Sequence, residues 1–485
     1  MSTERISRRA ALALGGASLA SLAGPGWAAP ESSRAEPRTD VLVLGAGISG
    51  LHAARMLQQA GATVRVLEGS GRIGGRCWTA RDATGTPEFG AEQIGFGYGR
   101  VRGNAADLNV ALVPPLQGGM GETRLPQVAV SIGGAAPVVD WAGSPLNRLA
   151  PDERALPPLA LFGHYLLKDD PLDDLQDWLK PEFRSIDRQS LRQFLAQKGA
   201  SPEALRLMDV TVPAWDLDDG NALDFLRKNH YYRWDAKHGS YSVFRDGTNA
   251  LTDAMAASLD RPVLLNKVVT HVDVTPHGVT AICADGSSYS AAACVNTIPP
   301  MVLKDIPVSG GLPARQREAW QRQRSDQSIQ ICFEFTAPFW EKDGLPASMW
   351  TDGPFEFFAH TPSRTHADGV LRAYVNGRAI APLNQITPEA LGERAVAELV
   401  RLRPAAAGLV RAGRIMNWST YPFSKGHIAY FQPGDIERYG DEIGRPFGAM
   451  YFAGEHISRV NAGLEGACES AENAVISILE KLGKA

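Results

Sequence analysis

Cysteine is scarce in this sequence of 485 residues: there are five, and they lie singly at positions 77, 283, 294, 332 and 468. The sequence has no C-x-x-C pair and no cluster of cysteine with histidine, which excludes the usual zinc-site spacings. Scattered cysteines in a long chain are typical of buried thiols. One pairing stays open, because Cys283 and Cys294 flank a turn at Asp285-Gly286 and would face each other across a hairpin.

An excess of positive charge and a long apolar run are also missing. Lys and Arg number 49 against 53 Asp and Glu, a net charge of −4, so nothing in the charge indicates a nucleic-acid partner. With 44% hydrophobic and 21% charged residues, the composition excludes a disordered chain, a fibrous repeat and a multi-span membrane protein. The sequence does have 49 Gly and 32 Pro, which favours tight turns and close backbone contact with a ligand.

The first 29 residues have the three-part layout of a secretory signal. A basic stretch with Arg8 and Arg9 precedes residues 10–24, an uncharged run that is too short to span a bilayer. Alanines at 28 and 29 provide a cleavage site. The Arg8-Arg9 pair resembles a twin-arginine signal, which predicts a protein that is periplasmic or secreted through the twin-arginine pathway. An uncleaved anchor and a disordered basic tail are the alternatives.

A strand, a glycine-rich turn and a helix follow in the order that binds dinucleotides. The apolar run 40–44 predicts the first strand of a buried parallel sheet. It enters a G-x-G-x-x-G turn in which Gly45 makes the bend, Gly47 admits a pyrophosphate and Gly50 lets the helix pack on the strand. Glu68 ends a second apolar run 18 residues beyond the last glycine, where it can accept hydrogen bonds from the ribose hydroxyls.

The segments after the second strand are more specific. Residues 71–79 read GRIGGRCWT and residues 88–93 read EFGAEQ. Both resemble the flavin amine oxidase family, which includes monoamine, polyamine and L-amino-acid oxidases. The resemblance implies that the bound dinucleotide is FAD rather than NAD. It also implies that Arg72 and Arg76 neutralise the pyrophosphate or contact the isoalloxazine ring.

Later segments carry the same resemblance. Residues 450–455 read MYFAGE, like the family strand whose acidic residue reaches the flavin, and residues 461–467 open the last helix. The positive N-terminus of that helix would stabilise the negative charge of reduced flavin. The cofactor-binding residues that we expect are Gly45, Gly47, Gly50, Glu68, Arg72, Gly75, Arg76, Gly90, Ala91, Glu92, Val268, Gly454, Glu455, Gly463 and Leu464.

The resemblance implies an α/β fold in which a Rossmann-like FAD-binding domain is interleaved with a mixed α+β substrate domain. Residues 38–105, 240–300 and 410–483 are expected to form the FAD-binding domain. Residues 106–239 and 301–409 match the family less well and are expected to form the substrate-binding domain.

The substrate side departs from the family pattern at three positions. Monoamine oxidases have a lysine eight residues before the Pro338-Phe339-Trp340 motif that holds a water at flavin N5, and Gln330 stands there instead. His427 falls at or beside the position where some members attach the flavin; it links to FAD, contacts flavin or substrate, or is a polar loop residue. Gly463 replaces one tyrosine of the family's aromatic cage. We expect these three residues, Gln330, His427 and Gly463, to be catalytic.

The substrate pocket is expected to have aromatic walls. L-amino-acid oxidases hold the substrate carboxylate with an arginine in the loop that matches residues 90–94, and this loop has none, which disfavours an α-amino acid. Aromatic residues cluster between positions 215 and 241, which suits an apolar or cationic substrate. The expected pocket residues are Gln93, Trp215, Tyr232, Trp234, Phe423 and His427.

These features predict an FAD-dependent oxidoreductase with no metal. It would oxidise an amine that has an apolar or aromatic part by hydride transfer to flavin N5, followed by hydrolysis of the imine. Oxygen or a periplasmic carrier would accept the electrons, and a homodimer remains an open expectation. Two alternatives stay open: dehydrogenation or desaturation of a non-amine substrate, and a non-catalytic flavin-binding partner protein.

Overall fold

The computed structural model describes residues 39–116 and 127–484; the predicted signal at 1–29 lies outside them. The strands in these residues are β1 (Thr39–Leu44), β2 (Val64–Leu67), β3 (Leu112–Val113), β4 (Val128–Ser131), β5 (Val243–Phe244), β6 (Val269–Thr275), β7 (Gly278–Cys283), β8 (Ser288–Asn296), β9 (Val308–Ser309), β10 (Arg324–Ser325), β11 (Ser328–Phe335), β12 (Ser348–Thr351), β13 (Phe357–Thr361), β14 (Val370–Asn376), β15 (Val410–Asn417), β16 (Ala429–Tyr430) and β17 (Met450–Phe452).

The helices of the same residues range from a single turn to five turns. They are α1 (Ile48–Gln59), α2 (Gly99–Asp107), α3 (Pro158–Leu166), α4 (Arg184–Asp187), α5 (Leu191–Gln197), α6 (Pro202–Thr211), α7 (Ala222–His238), α8 (Asn249–Ala257), α9 (Pro300–Leu303), α10 (Ala314–Arg322), α11 (Trp340–Asp343), α12 (Ile380–Leu383), α13 (Pro388–Leu402), α14 (Asp435–Tyr439) and α15 (Gly463–Leu482).

The first sheet has the order β2-β1-β8-β7-β6-β9, and β17 also pairs with β8. Strands β2, β1, β8 and β17 run parallel, while β6, β7 and β8 form an antiparallel meander. Strand β1 is covered on both faces: Val41 and Val43 pack with α1 and α15, and Leu42 and Leu44 pack in the opposite layer. Burial on both faces explains its continuous apolar sequence. This sheet and its helices are the Rossmann-like part of the fold.

The second sheet is mixed, with the order β15-β11-β14-β13-β12-β4. All its pairs are antiparallel apart from β12 with β4. Because side chains alternate along a strand, Ile329 and Ile331 of β11 pack in a core that also includes residues of α13. Gln330 on β11 and Tyr374 on β14, which are direct cross-strand partners, lie on the opposite face of the sheet. That face is the one that borders the candidate site.

A layer of helices completes the substrate side. Helices α3, α5, α6 and α7 share one apolar cluster. Helix α7 begins after Asn221, whose side-chain oxygen accepts a hydrogen bond from the Asp224 N–H at 3.0 Å, as expected of an N-cap. The helix then runs for 17 residues and carries Tyr232 to the site described below.

The chain changes sheets at residues other than the expected boundaries. Strand β15 pairs with β11 in the second sheet, although residues 410–483 were expected to belong to the FAD-binding domain. Strand β9 pairs with β6 in the first sheet, although residues 301–409 were expected on the substrate side. The sequence motifs predict which backbone segments contact a ligand, but they do not predict with which strand a neighbouring segment pairs.

Several classes of site are absent from the described residues. None of their helices is long and apolar enough to cross a membrane, and no three metal-ligating side chains come together among them. All five cysteines are buried and unpaired. The Cys283 N–H donates to the Ser287 carbonyl at 2.9 Å, so the tight turn places Ser287, and not Cys294, opposite Cys283.

Candidate active site

The turn between β1 and α1 forms one end of the site. Gly45 has a φ of +106°, and a Cβ there would lie 2.4 Å from Thr297 Oγ1. A Cβ on Gly50 would lie 2.1 Å from the Gly45 carbonyl oxygen. At Gly47 the nearest heavy atom to an added Cβ is the Gly75 Cα at 4.0 Å, and the remaining space belongs to a cavity. Packing therefore requires glycine at 45 and 50, whereas glycine at 47 keeps the cavity open.

Glu68, which follows β2, holds this turn. Its two carboxylate oxygens accept hydrogen bonds from the backbone N–H groups of Ala46 and Ser70, each at 2.8 Å. Each oxygen retains a lone pair, and the residue borders the cavity. The carboxylate can therefore hold a ribose hydroxyl without giving up its structural bonds.

The cavity has a volume of about 470 Å³ and extends from this turn to the face of the second sheet. Its walls bring together residues from the beginning, middle and end of the chain. The predicted residues that line it are Gly45, Gly47, Glu68, Gly75, Arg76, Gly90, Ala91, Glu92, Gln93, Tyr232, Val268, Gln330, Phe423, His427, Gly454, Glu455, Gly463 and Leu464.

Two predicted cofactor residues do not line the cavity. Gly50 packs beneath the turn. Arg72 turns its guanidinium group back onto its own loop: Nη1 donates to the carbonyls of Ile73 and Cys77 at 3.0 and 3.1 Å, and the group stacks on Trp78 at 3.6 Å. These bonds make Arg72 a brace of the loop. Its contact with the cofactor stays a prediction, and Arg72 is not among the residues that line the cavity.

Two predicted pocket residues also lie elsewhere. Trp215 is 42% exposed, in the loop between α6 and α7. Trp234 stacks on Tyr231 with ring centroids 6.4 Å apart. It follows Tyr232 by two residues, about 200° around α7, so the two side chains cannot face the same cavity. Aromatic clustering therefore indicated the correct helix and one residue that lines the cavity, Tyr232, whereas Trp215 and Trp234 do not line it.

The loop at residues 88–93 is clamped against the second sheet. The Phe89 carbonyl accepts hydrogen bonds from Gln330 Nε2 at 2.9 Å and from Trp418 Nε1 at 2.8 Å. A Cβ on Gly90 would lie 1.7 Å from the Arg76 carbonyl oxygen, so only glycine fits this close approach. The clamp fixes the backbone of Gly90 and Ala91 along the cavity wall.

Gln330 therefore presents an oxygen to its surroundings. Its amide nitrogen must face the Phe89 carbonyl, since a carbonyl oxygen only accepts. The side chain is 4% exposed, and its Oε1 has no hydrogen-bond partner among the described residues. A neutral acceptor thus stands at the position where the resemblance predicts a lysine.

Tyrosines approach the position of the missing cage residue. Gly463 has a φ of +56°, and an added Cβ would lie 3.2 Å from the Tyr98 hydroxyl and 3.9 Å from the Tyr232 hydroxyl. Burial raises the pKa of Tyr232 to about 12 and that of Tyr98 well above its usual value. Both hydroxyls therefore remain protonated at neutral pH and act as hydrogen-bond donors at this wall.

His427 is held by its own backbone and by Asp326. Its N–H donates to the Asp326 carbonyl at 2.8 Å, and its Nδ1 lies 3.5 Å from Asp326 Oδ2. Its ring stacks on Trp418 with centroids 5.9 Å apart. Burial raises the pKa of Asp326, and the neighbouring imidazole opposes that shift. His427 is thus a positioned wall residue of the cavity.

The last helix starts at the cavity. Gly463 begins α15, and Leu464 and Ala467 in its first turns line the wall. Glu465 points away, because its carboxylate accepts hydrogen bonds from the N–H groups of Arg100 and Val101 at 3.0 and 3.1 Å. The free backbone N–H groups at this end give the cavity a positive electrostatic potential.

Several residues at the cavity were not anticipated from the sequence, two of them on one strand. Arg372 and Tyr374 lie on β14 and line the wall. The Arg372 side chain is 2% exposed; its Nη1 donates to the Glu88 carbonyl, and its Nη2 lies 3.4 Å from Glu92 Oε2. The only signal in the sequence was an arginine at an alternate position of an otherwise apolar strand, VLRAYVN, where burial requires a partner.

A second cavity, of about 290 Å³, adjoins the first. The two share Glu88, Glu92 and Arg372 in their walls. The second cavity is rich in polar side chains, including Thr79, Thr365 and Arg245. Burial raises the pKa of Glu88 to about 7, although the N–H of Thr248 and the hydroxyl of Thr79 oppose the shift.

The first cavity fits FAD on three counts. A helix N-terminus and an unobstructed glycine face the place of the pyrophosphate, an acid stands at the place of the ribose, and a second helix N-terminus faces the far end. The fold and this cavity together define an FAD-dependent oxidoreductase. The chain belongs to the family of flavin-containing amine oxidoreductases, whose model matches residues 48–479.

Known proteins resemble the chain over nearly its whole length. The L-amino-acid oxidase of Siganus canaliculatus is 28% identical over 465 residues, which cover 90% of this chain and 85% of that protein. Flavin-containing amine oxidase B of Sus scrofa is 24% identical over 488 residues, covering 92% and 87%. The structure of cyclohexylamine oxidase from Brevibacterium oxydans superposes with a TM-score of 0.74 at 23% identity, covering 92% of this chain and 100% of that one. The chain is thus an amine oxidoreductase that uses FAD.

Proposed function

We propose that the protein oxidises an amine that has an apolar or aromatic part, with the reacting carbon held between the cofactor and aromatic side chains. The observation that carries this proposal is the composition of the first cavity, whose walls include Tyr232, Tyr374, Tyr421 and Phe423 together with Gln330. Aromatic faces bind apolar groups and also attract the positive charge of an amine.

The residues of the chain supply binding and orientation. When bound, FAD accepts the hydrogen and the two electrons that leave the carbon next to nitrogen. Tyr232 and Tyr98 donate hydrogen bonds from one wall, and Gln330 Oε1 offers an acceptor from the other. His427 contributes a wall of the cavity with its ring stacked on Trp418. The imine product then hydrolyses to a carbonyl compound and an amine.

The electron acceptor is proposed to be oxygen or a periplasmic carrier. A positive charge beside the reduced cofactor would stabilise the negative charge that develops on oxygen. Gln330 brings no charge, which favours the carrier.

A second candidate substrate is an amine that also carries a carboxylate. Arg372 favours it, because its buried Nε has no hydrogen-bond partner among the described residues and an arginine fork suits a carboxylate. Glu92 opposes it, because a carboxylate already lies 3.4 Å from Nη2. We therefore rank the uncharged amine substituent first.

We also propose that the protein is exported through the twin-arginine pathway and acts in the periplasm or outside the cell. The support is the layout of residues 1–29, with Arg8 and Arg9 before an uncharged run. Replacing both arginines with lysine in the full chain and fractionating the cells tests export, which the replacement should abolish. Light scattering of the purified protein tests the proposed homodimer.

Product analysis tests the proposed activity. Purified holoprotein is incubated with matched panels of aromatic amines, aliphatic amines, diamines and α-amino acids, with oxygen or with an artificial one-electron acceptor. We expect a carbonyl product from aromatic and other apolar amines, and faster turnover with the artificial acceptor. Turnover restricted to α-amino acids would establish the second candidate instead.

A further inference from the structure

Glu88 stands where the two cavities meet. It is the first residue of the clamped loop; its carbonyl accepts a hydrogen bond from Arg372, and the residue borders both cavities. Its Oε1 accepts hydrogen bonds from Thr79 Oγ1 at 2.8 Å and from the Thr248 N–H at 2.9 Å. Two donors that bond to the same oxygen, Oε1, therefore fix the orientation of the carboxyl group.

The other carboxylate oxygen is free. Oε2 of Glu88 is buried and has no hydrogen-bond partner among residues 39–116 and 127–484. A buried acceptor without a partner is costly, so such an oxygen indicates a place that a ligand group is built to occupy. An ammonium group, which carries three donors, matches it.

The charged neighbours of Glu88 are few. Glu92 and Arg372 face it from the loop and from β14, and they pair with each other at 3.4 Å. Cys77 is a buried thiol whose pKa burial raises to about 12, so it stays neutral. Arg245, Asp246 and Arg364 also line the second cavity, but they are exposed and are not counted with the inner group of Glu88, Glu92 and Arg372. The net charge of this inner group is therefore −1 when Glu88 is ionised.

We propose that Glu88 binds the ammonium group of the incoming substrate and accepts its proton. The proton moves from the ammonium nitrogen to Glu88 Oε2, which turns the carboxylate into a carboxylic acid and leaves a neutral amine whose lone pair can assist the departure of hydrogen from the adjacent carbon. No electrons are transferred in this step. The inference rests on the proposed function and adds the group that prepares the amine for it.

Other titratable groups of the walls are less suited to this role. Glu92 is paired with Arg372, and His427 is held beside Asp326. The raised pKa of Tyr232 keeps its hydroxyl protonated. Glu88, whose pKa burial raises to about 7, is a stronger proton acceptor than an ordinary carboxylate and is still ionised in part at neutral pH.

The test uses Glu88→Gln, which keeps an acceptor for Thr79 and Thr248 but cannot take a proton. The rate of anaerobic flavin bleaching is measured by stopped flow between pH 6 and 9 with a primary amine that has a β-methyl group and with its β,β,β-trifluoro analogue. Three fluorines make the ammonium group of the analogue so strong an acid that the analogue is largely neutral across this range before it binds. Asp253→Asn, which removes an exposed carboxylate of α8, is the matched control.

We expect Glu88→Gln to slow bleaching by the parent amine about 100-fold at pH 7 and bleaching by the analogue by less than about threefold. In wild type, the rate with the parent amine should fall as the pH drops through about 7, and with the analogue only at lower pH, where the analogue is itself protonated. This wild-type comparison decides the matter if the variant does not retain FAD.

Three results would overturn the proposal or its basis. Equal losses for both amines in Glu88→Gln would make Glu88 structural. Identical wild-type pH profiles for the two amines would show that Glu88 does not accept the proton of the ammonium group. If no amine bleaches the wild-type holoprotein, the proposed function is wrong and this inference falls with it. If amines do bleach it but the parent amine and the analogue give the same pH profile, only the role of Glu88 is wrong.

Discussion

Arg76 and Glu455 form an ion pair at the cavity wall, with Nη1 and Oε1 2.8 Å apart across 379 residues of chain. Arg76 also donates to the His427 carbonyl, and Glu455 Oε1 accepts the Ala429 N–H at 3.0 Å. One pair therefore ties the early GRIGGR loop to two late segments at the cofactor site. Burial alone would raise the pKa of Glu455, but the charges of Arg76 and Lys228 outweigh it and hold that pKa below its usual value.

Arg76→Met should weaken both folding and FAD binding. It leaves the buried Glu455 carboxylate without its main partner, at a cost on the order of 2 kcal/mol after allowing for the partial exposure of the arginine. Urea unfolding and FAD retention are the measurements. In the double variant Arg76→Met/Glu455→Gln part of the loss should return; strictly additive losses would mean that the two side chains do not stabilise each other.

Gly47→Trp should yield protein without FAD, because the indole would occupy the cavity in front of the turn. Gly103→Trp is the control, since Gly103 lies on the exposed face of α2 and an added Cβ meets nothing within 4 Å. The measurement is absorbance near 450 nm per mole of purified protein. A Gly47→Trp protein as yellow as the control would place the pyrophosphate elsewhere.

Gly50→Ala should destabilise the fold by about 1–3 kcal/mol, because the added methyl group meets the Gly45 carbonyl and the cost of such overpacking is of this size. Gly103→Ala, also in a helix, should stabilise by about 1 kcal/mol because alanine is the better helix former. Chemical denaturation of the two apoproteins measures both effects. Equal stabilities would show that helix α1 can shift away from β1.

Gln330→Lys should speed the reaction of reduced FAD with oxygen at least about tenfold, because a preorganised charge in a dry site contributes several kcal/mol to a developing anion. The rate is followed by stopped flow after anaerobic reduction. Gln330→Met, which has no charge and no amide, serves as the control and should not accelerate it. An unaltered rate in Gln330→Lys would mean that this residue lies away from the reacting end of the cofactor.

Two buried histidines should each lower the free energy of unfolding as the pH drops from about 6.5 to about 4. Glu88 acts in the opposite direction, because its pKa of about 7 makes the folded chain take up a proton in this range. Burial lowers the pKa of both His52 and His456 to about 4, so the unfolded chain takes up protons in this range that the folded chain does not. Each histidine contributes about 2 kcal/mol to the loss by pH 4.5. His52→Gln, which can still accept a hydrogen bond from Asn104, should reduce the loss of unfolding free energy at low pH by the share of His52. If the variant loses as much stability between about pH 6.5 and about pH 4 as the wild type, the lowered pKa of His52 is wrong.

Local motifs carried much of the fold prediction. The G-x-G-x-x-G turn, the acid of the second strand and the late MYFAGE strand each have a steric or electrostatic requirement that a few neighbouring residues satisfy. The predictions of an α/β fold with an interleaved Rossmann-like part, of FAD and of the amine oxidoreductase family are confirmed. The assigned roles of individual site residues stay predictions.

Contacts that depend on strand pairing and helix orientation were beyond the sequence. Arg372 reaches the site because β14 pairs with β11, a pairing with no local signature. Trp234 misses the site because of its angle around α7, and Arg72 misses it because carbonyl groups of its own loop bind the guanidinium. The positions of β9 and β15 follow from hydrogen bonding between distant strands.

The most direct test of the account is an anaerobic titration of purified holoprotein with an aromatic primary amine, followed at 450 nm. We predict a yellow protein whose 450 nm band is bleached by about one equivalent of amine per flavin and returns when an electron acceptor is added. A colourless protein that gains no such band on incubation with FAD would contradict the assigned cofactor. A yellow protein that no amine bleaches would contradict the proposed reaction.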